Sequence, residues 1–213
     1  MSPVSYELRA LAGRCEITAQ AAPEAHGTAV ELPQGYGLLP ITDHVLERLG
    51  GADTSPFGEV FWFLSAGVEA LARRISLAGD IAYVEAEFFG GNGTQAMVLW
   101  RGGEVCLGPI TAEFPATAQD PSSSPQWPFN RALRELGVDR GDAFDEFDAL
   151  GLGRWRHTDE WPTTGTTPDA CQGDGLEPTS EHPDVGSYSC SRDHHRGNTP
   201  GPGPSRTSSV NGA

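Results

Sequence analysis

The stretch YVEAEFFGGNGTQAMVLW, Tyr83–Trp100, decides the fold because it admits two opposed interpretations. Residues 91–96, GNGTQA, follow a strand-like run and match G-x-G-x-x-A, the outline of a dinucleotide-binding turn. Such a motif must open a crossover helix. Here it leads into TQAMVLWR, residues 94–101, a short β-forming run that ends at a second glycine pair. The motif is therefore predicted to be a hairpin and not a phosphate loop.

The residues before the hairpin alternate in polarity. Apolar side chains at even positions from 82 to 88 share one face, and Tyr83, Glu85 and Glu87 share the other. This period of two is typical of a half-buried strand. A further strand-like run, EVCLG, follows Gly102-Gly103. The whole region predicts a three-stranded antiparallel meander, in which the residues GGNG, 90–93, supply the positive φ values of a tight turn.

The flanking sequence adds strands and helices to this meander. Alternation predicts a strand at residues 4–9, and short apolar runs predict strands at 28–32 and 36–39. Thr42 and Ser65 are suited to cap two helices, and two more are predicted from Pro128 and from Asp142. For residues 57–64 the sequence does not decide between a strand and a buried segment that leads into the next helix. The predicted class is α+β, an antiparallel β-meander packed against three or four α-helices.

Composition changes at Trp161. Residues 162–213 are rich in Gly, Pro and Ser and carry few large apolar side chains, too few to offset the ~1–2 kcal/mol per residue that backbone ordering costs. We predict one α+β domain over residues 1–161 and a disordered low-complexity tail over 162–213, which contributes nothing to folding. A second polar stretch, PATAQDPSSSPQWP at 115–128, predicts an exposed loop within the domain.

The charge balance limits the classes of partner. The net charge is -15, and all 14 basic residues are arginine. Such a chain repels nucleic acid and anionic lipid and attracts a basic protein. No apolar run approaches the ~20 residues of a membrane span, and no signal-peptide pattern opens the sequence. We therefore expect a cytoplasmic protein with reduced cysteines, a basic protein partner, and neither nucleic acid nor membrane as a partner. The oligomeric state does not follow from the sequence.

Two groups of carboxylates are candidate sites. Glu85 and Glu87 lie roughly 7 Å apart along one strand face, a spacing that could separate an acid from a base in a hydrolase, with His157 as a further candidate. The simpler interpretation is a solvated sheet face. Asp145, Glu146 and Asp148 are expected on the solvated face of the last helix. His157, Asp159 and Glu160 offer metal-binding atoms but have no partner cluster, so neither a metal nor a cofactor is expected.

A resemblance rests on three segments: AYVEAEFFGGNGTQAMVLWRGGEVCLGP at 82–109, NRALRELGV at 130–138 and DEFDALGLGRWRHTDEW at 145–161. With these segments the chain resembles a group of uncharacterised actinobacterial proteins over residues 1–161. The resemblance implies no activity. Small acidic α+β proteins of this kind are often immunity or accessory proteins, which is an analogy of type.

Together these patterns favour a non-catalytic binding or accessory protein, of the immunity type if its partner is a basic toxin. Its binding residues are predicted to be Tyr83, Glu85 and Glu87 on the strand and Asp145, Glu146 and Asp148 on the last helix. The alternative is a hydrolase with a carboxylate site at Glu85 and Glu87. The sequence contains no serine nucleophile elbow, P-loop or H-E-x-x-H motif.

Overall fold

A computed structural model describes residues 5–50, 55, 57–114 and 127–161. These residues form an antiparallel sheet of six strands in the order β2-β3-β1-β4-β5-β6. The strands are β1 Ser5–Arg14, β2 Val30–Leu32, β3 Tyr36–Pro40, β4 Ile81–Phe89, β5 Asn92–Arg101 and β6 Glu104–Phe114. The α-helices are α1 Cys15–Ala25, α2 Asp43–Arg48, α3 Ala66–Ile75, α4 Pro128–Glu135 and α5 Glu146–Ala149. The predicted α+β class is confirmed.

The predicted meander is the strand run β4-β5-β6, and its turns show why the glycines are there. Gly90 and Gly91 form the two-residue loop between β4 and β5, with φ of 61° and 88°. Two consecutive positive φ values define the type I′ turn that matches the twist of antiparallel strands. Gly93 has a different role, because a Cβ there would lie 2.2 Å from Cδ1 of Phe88. The G-x-G spacing therefore serves a hairpin and the packing of a phenyl ring.

The helices that the sequence predicted are present as α2 to α5, but α5 begins at Glu146 with Asp145 as its N-cap, and not at Asp142 as predicted. The side chains of Thr42 and Ser65 accept hydrogen bonds from the backbone N–H groups of Val45 and Val68, both at 3.2 Å, and so cap α2 and α3. The sequence prediction missed α1, whose N-cap residue Arg14 makes no side-chain hydrogen bond and whose last turn contains Pro23. Residues 57–64 form turns and bends, and no strand.

Both faces of the sheet are covered, which corrects one expectation. Helices α1, α2 and α3 pack on the face that carries Leu11, Tyr83 and Trp100. Helix α4 and the chain from Leu150 to Trp161 pack on the opposite face, over a core that includes Leu8, Met97 and Leu99. Residues 81–86 of β4 are consequently buried on both sides. The strand is not half-buried as predicted, because elements distant in sequence cover the face that carries Tyr83.

Several expectations lie outside the described residues or concern single features. The tail at 162–213 and residues 115–126 of the predicted loop lie outside the described residues, and the domain boundary stays a prediction. Among the described helices, none combines the length and apolar character that crossing a membrane would require. Cys106 is a free thiol.

Candidate functional site

The predicted row Tyr83, Glu85 and Glu87 runs from the core to the surface along one face of β4. Tyr83 is fully buried, Glu85 is buried and Glu87 is exposed. The Tyr83 hydroxyl donates to Oε2 of Glu85 at 2.9 Å. Burial, and then the Glu85 carboxylate, raise the pKa of Tyr83 well above its usual range. A solvated face was expected here, and that expectation is wrong for Tyr83 and Glu85.

Glu85 fastens the segment 57–64 to the sheet. The backbone N–H groups of Trp62 and Phe63 donate to its two carboxylate oxygens at 2.9 and 3.1 Å. Next to these bonds, the ring of Phe61 meets that of Tyr83 edge to face, with 5.4 Å between centroids. Burial raises the pKa of Glu85, although the hydrogen bonds to its carboxylate and the charge of Arg9 oppose the shift. Both oxygens of Glu85 are thus engaged in holding a loop.

Arg9 completes this anchor from the neighbouring strand. It is the cross-strand partner of Glu85 and is buried. Its guanidinium donates to Glu7 at 3.0 Å and to Asp43 at 2.8 Å, and lies 4.0 Å from the ring centroid of Phe63. The loop is therefore held by a cation–π contact as well as by the Glu85 hydrogen bonds. Trp62, between the two anchored residues Phe61 and Phe63, is left facing outward.

An open concavity of about 730 Å³ follows at the end of this row. Trp62 is 77% exposed and Phe89 is 61% exposed, which is unusual for large apolar side chains. Glu87 pairs across β4-β5 with Thr94, which pairs in turn with Glu113 on β6. These five side chains share one surface, which we call the aromatic–acidic patch: Trp62, Glu87, Phe89, Thr94 and Glu113. It combines two exposed rings with two exposed carboxylates.

The second predicted group lies on the other side of the sheet and is largely structural. Asp145 caps α5 by accepting the Asp148 N–H at 2.8 Å, and its other oxygen accepts from the Asn130 side chain at 3.0 Å. Glu146 binds Arg134 through two hydrogen bonds of 2.8 and 3.0 Å. The expected solvated face is wrong for Asp145 and Glu146, which are buried, and holds for Asp148. These carboxylates join α5 to α4.

The geometry gives no support to a carboxylate hydrolase. The concavity at the aromatic–acidic patch is lined by Glu87 and not by Glu85, whose oxygens are engaged in the loop. His157 lies elsewhere, with Nε2 3.4 Å from the Ser5 hydroxyl. Glu160 accepts the backbone N–H groups of Arg156 and His157, which lowers its pKa. Within the described ranges, no group of three or more His, Cys, Asp or Glu side chains could hold a metal ion.

Four patch residues were missed by the sequence prediction: Trp62, Phe89, Thr94 and Glu113. Phe89 could have been predicted, because alternate residues of a strand share a face and Phe89 follows Glu85 and Glu87 in this series on β4. Glu113 depends on the register of β5 with β6. Trp62 depends on the bonds that bring residues 57–64 to Glu85, and no local pattern signals them.

Comparisons with known proteins leave the site to be interpreted from its own chemistry. No family model matches the chain, and neither a curated protein nor a solved structure matches it.

Proposed function

We propose that this chain is a non-catalytic binding protein whose aromatic–acidic patch engages an arginine-rich segment of a basic protein partner. The observation that carries the proposal is the exposure of Trp62 and Phe89 beside the carboxylates of Glu87 and Glu113. Isolated exposed apolar residues are ordinary, but two large rings in one concavity mark an interaction surface.

The chemistry of the patch favours arginine in particular. A guanidinium stacks on an aromatic face and can bond a carboxylate through two parallel N–H groups. The patch offers rings and carboxylates within the same concavity. The net charge of -15 would also speed the encounter with a basic partner.

The anchoring of the loop supports the same function. The N–H of Trp62 is bonded to Glu85, so the ring is presented by a fixed backbone. Presenting an anchor residue in advance reduces the entropy that association would otherwise cost. Aromatic residues presented in this manner are typical hot spots of protein interfaces.

The proposed biological setting is the cytoplasm, with a basic toxin as the partner if the protein is of the immunity type. The acidic charge supports the choice of partner, since it favours a basic protein over nucleic acid or an anionic membrane. Thiol labelling of the protein inside cells tests whether its compartment is reducing, as the cytoplasm is.

The binding test uses an arginine-rich peptide and its counterpart with citrulline at every arginine, titrated calorimetrically into the full chain. We expect the arginine peptide alone to bind. Trp62→Ala should weaken it about tenfold or more, the effect of losing an interface hot spot. Glu87→Gln combined with Glu113→Gln should weaken peptide binding more than Trp62→Ala does. The affinity of this double variant should also depend less on salt concentration.

A matched control separates the patch from overall charge. Glu16→Gln combined with Glu135→Gln removes the same charge away from the patch, in the first turn of α1 and in the last turn of α4. This pair should leave affinity nearly unchanged. Equal weakening by both pairs, or equal binding of the two peptides, contradicts the proposal.

A further inference from the structure

A separate cavity of about 330 Å³ lies on the other face of the sheet. Protein interiors rarely contain voids much larger than one water molecule, whose share of liquid volume is ~30 Å³. The volume falls at the lower end of the ~300–1,000 Å³ typical of small-molecule pockets. A cavity of this size is therefore a feature to be explained.

Six aromatic rings line this cavity, and they form two groups. Phe88 stacks with Phe114 and with Trp127, at centroid distances of 5.7 and 6.2 Å, and the rings of Phe114 and Trp127 meet at a tilt, with centroids 4.7 Å apart. Tyr6, Phe129 and Phe147 meet edge to face, with centroids 5.4 and 5.8 Å apart. Because the two groups come from strands β1, β4 and β6 and from the α4 and α5 region, the cavity is built by the tertiary fold.

Buried polar side chains fix the position of these rings. Gln95 accepts the Phe129 N–H at 3.2 Å, at the start of α4. Asn130 accepts the Phe147 N–H at 2.9 Å and donates to Asp145 at 3.0 Å. The side chains of Gln95, Asn130 and Asp145 all line the cavity and are buried. A few fixed polar groups among aromatic walls are the usual composition of a preformed ligand site.

One residue of the cavity wall carries a buried polar atom that has no partner. In the described part of the chain, three indole N–H groups are buried without an acceptor, those of Trp100, Trp127 and Trp161. Of these three, Trp127 lines the cavity. A buried donor without an acceptor is costly, so a ligand acceptor that meets this N–H when the Trp127 ring turns toward the cavity would recover a hydrogen bond.

We propose that this cavity binds a planar aromatic molecule that carries a hydrogen-bond acceptor, which receives the indole N–H of Trp127. The aromatic side chains contact the planar rings of the ligand, and the Trp127 indole N–H bonds the acceptor atom of the ligand. A cation is disfavoured because Arg156 lines the cavity, because Phe88 stacks with Phe114 and Trp127, and because the Asp145 carboxylate is already bonded to Asn130 and to the start of α5. The two carboxylates of the aromatic–acidic patch project from the opposite sheet face, and Phe114 at the end of β6 borders both concavities.

The test uses quinoline and naphthalene, two planar molecules of nearly the same shape that differ in one acceptor nitrogen. Both are titrated into the full chain and followed by ligand-observed NMR. Both should bind, and Trp127→Phe should reduce the preference for quinoline over naphthalene roughly threefold to tenfold, the effect of one hydrogen bond. Trp100→Phe is the matched control, since it removes another unpartnered indole N–H from the opposite core and should leave that preference unchanged.

A blocking variant tests the cavity itself. A Cβ at Gly153 would make an ordinary 3.6 Å contact with Phe147, so Gly153→Leu can place its branch in the cavity without a backbone clash. Folded Gly153→Leu protein should lose at least tenfold in affinity for both probes. Unchanged binding by this variant, an unchanged probe preference in Trp127→Phe, or binding of tetramethylammonium in place of the planar probes overturns the proposal.

Discussion

Glu85 and Glu87 are two residues apart on the same face of β4, yet they belong to different regions of the molecule. Glu85 is buried and accepts three hydrogen bonds, from Tyr83, Trp62 and Phe63. Glu87 is exposed and lies beside Trp62 in the aromatic–acidic patch. The difference arises because residues 57–64 pack over Glu85 and do not cover Glu87. Glu85 positions the loop that presents Trp62, and Glu87 is itself part of the exposed patch.

The largest expected effect comes from removing each carboxylate in turn. Glu85→Ala leaves two backbone N–H groups and the Tyr83 hydroxyl without their acceptor, which we expect to cost about 2–4 kcal/mol of unfolding free energy. Glu87→Ala changes an exposed side chain and should stay within about 0.5 kcal/mol. Urea unfolding followed by circular dichroism measures both. Similar losses in the two variants would remove the distinction between a structural and a surface carboxylate.

A smaller effect tests the hairpin that joins the two regions. Gly93→Ala places a Cβ against the Phe88 ring and 2.5 Å from the Glu87 carbonyl oxygen, so it should cost about 1–3 kcal/mol. The control is Gly90→Asn, because asparagine tolerates positive φ and nothing lies within 4 Å of the Cβ position. That variant should be nearly neutral in thermal denaturation. A tolerated Gly93→Ala would show that Phe88 does not need this space.

The smallest expected effect is the pH dependence of Glu85. Its folded-state pKa is raised by burial, so the folded chain binds this proton more tightly than the unfolded chain does. The resulting stability is fully present below the unfolded pKa and is lost as pH rises through the folded pKa. The unfolding free energy of the wild type relative to Glu85→Gln should therefore fall as the pH rises above the ordinary glutamate pKa of ~4.3. A difference that grows with pH would show that the hydrogen bonds and Arg9 outweigh burial.

Local patterns predicted the elements that local chemistry determines. Thr42 and Ser65 identified two helix starts, and the glycine pairs identified both hairpins of the meander. The period of two placed Tyr83, Glu85 and Glu87 on one face, but it could not show what covers that face. The covering elements include α1, which has no capping signal, and residues 57–64, which have no regular period.

The candidate site was predicted less completely for the same reason. Glu87 was identified correctly as an exposed side chain, whereas Glu85 and Tyr83 are buried beneath residues joined to them by long-range hydrogen bonds and ring contacts. Asp145 and Glu146 were expected in solvent because their helix was treated alone. Their partners Asn130 and Arg134 lie on α4, so their burial follows from helix packing and not from charge.

The central claim is that Glu85 acts on binding through Trp62, which is tested by a double-mutant cycle with the arginine-rich peptide. The variants are Trp62→Ala, Glu85→Gln and the two combined, each titrated calorimetrically after its folding is verified. We predict that Glu85→Gln weakens binding although it does not reach the peptide, and that the double variant binds no more weakly than Trp62→Ala alone. Losses that simply add, or a Glu85→Gln variant that binds as the wild type does, would contradict the account.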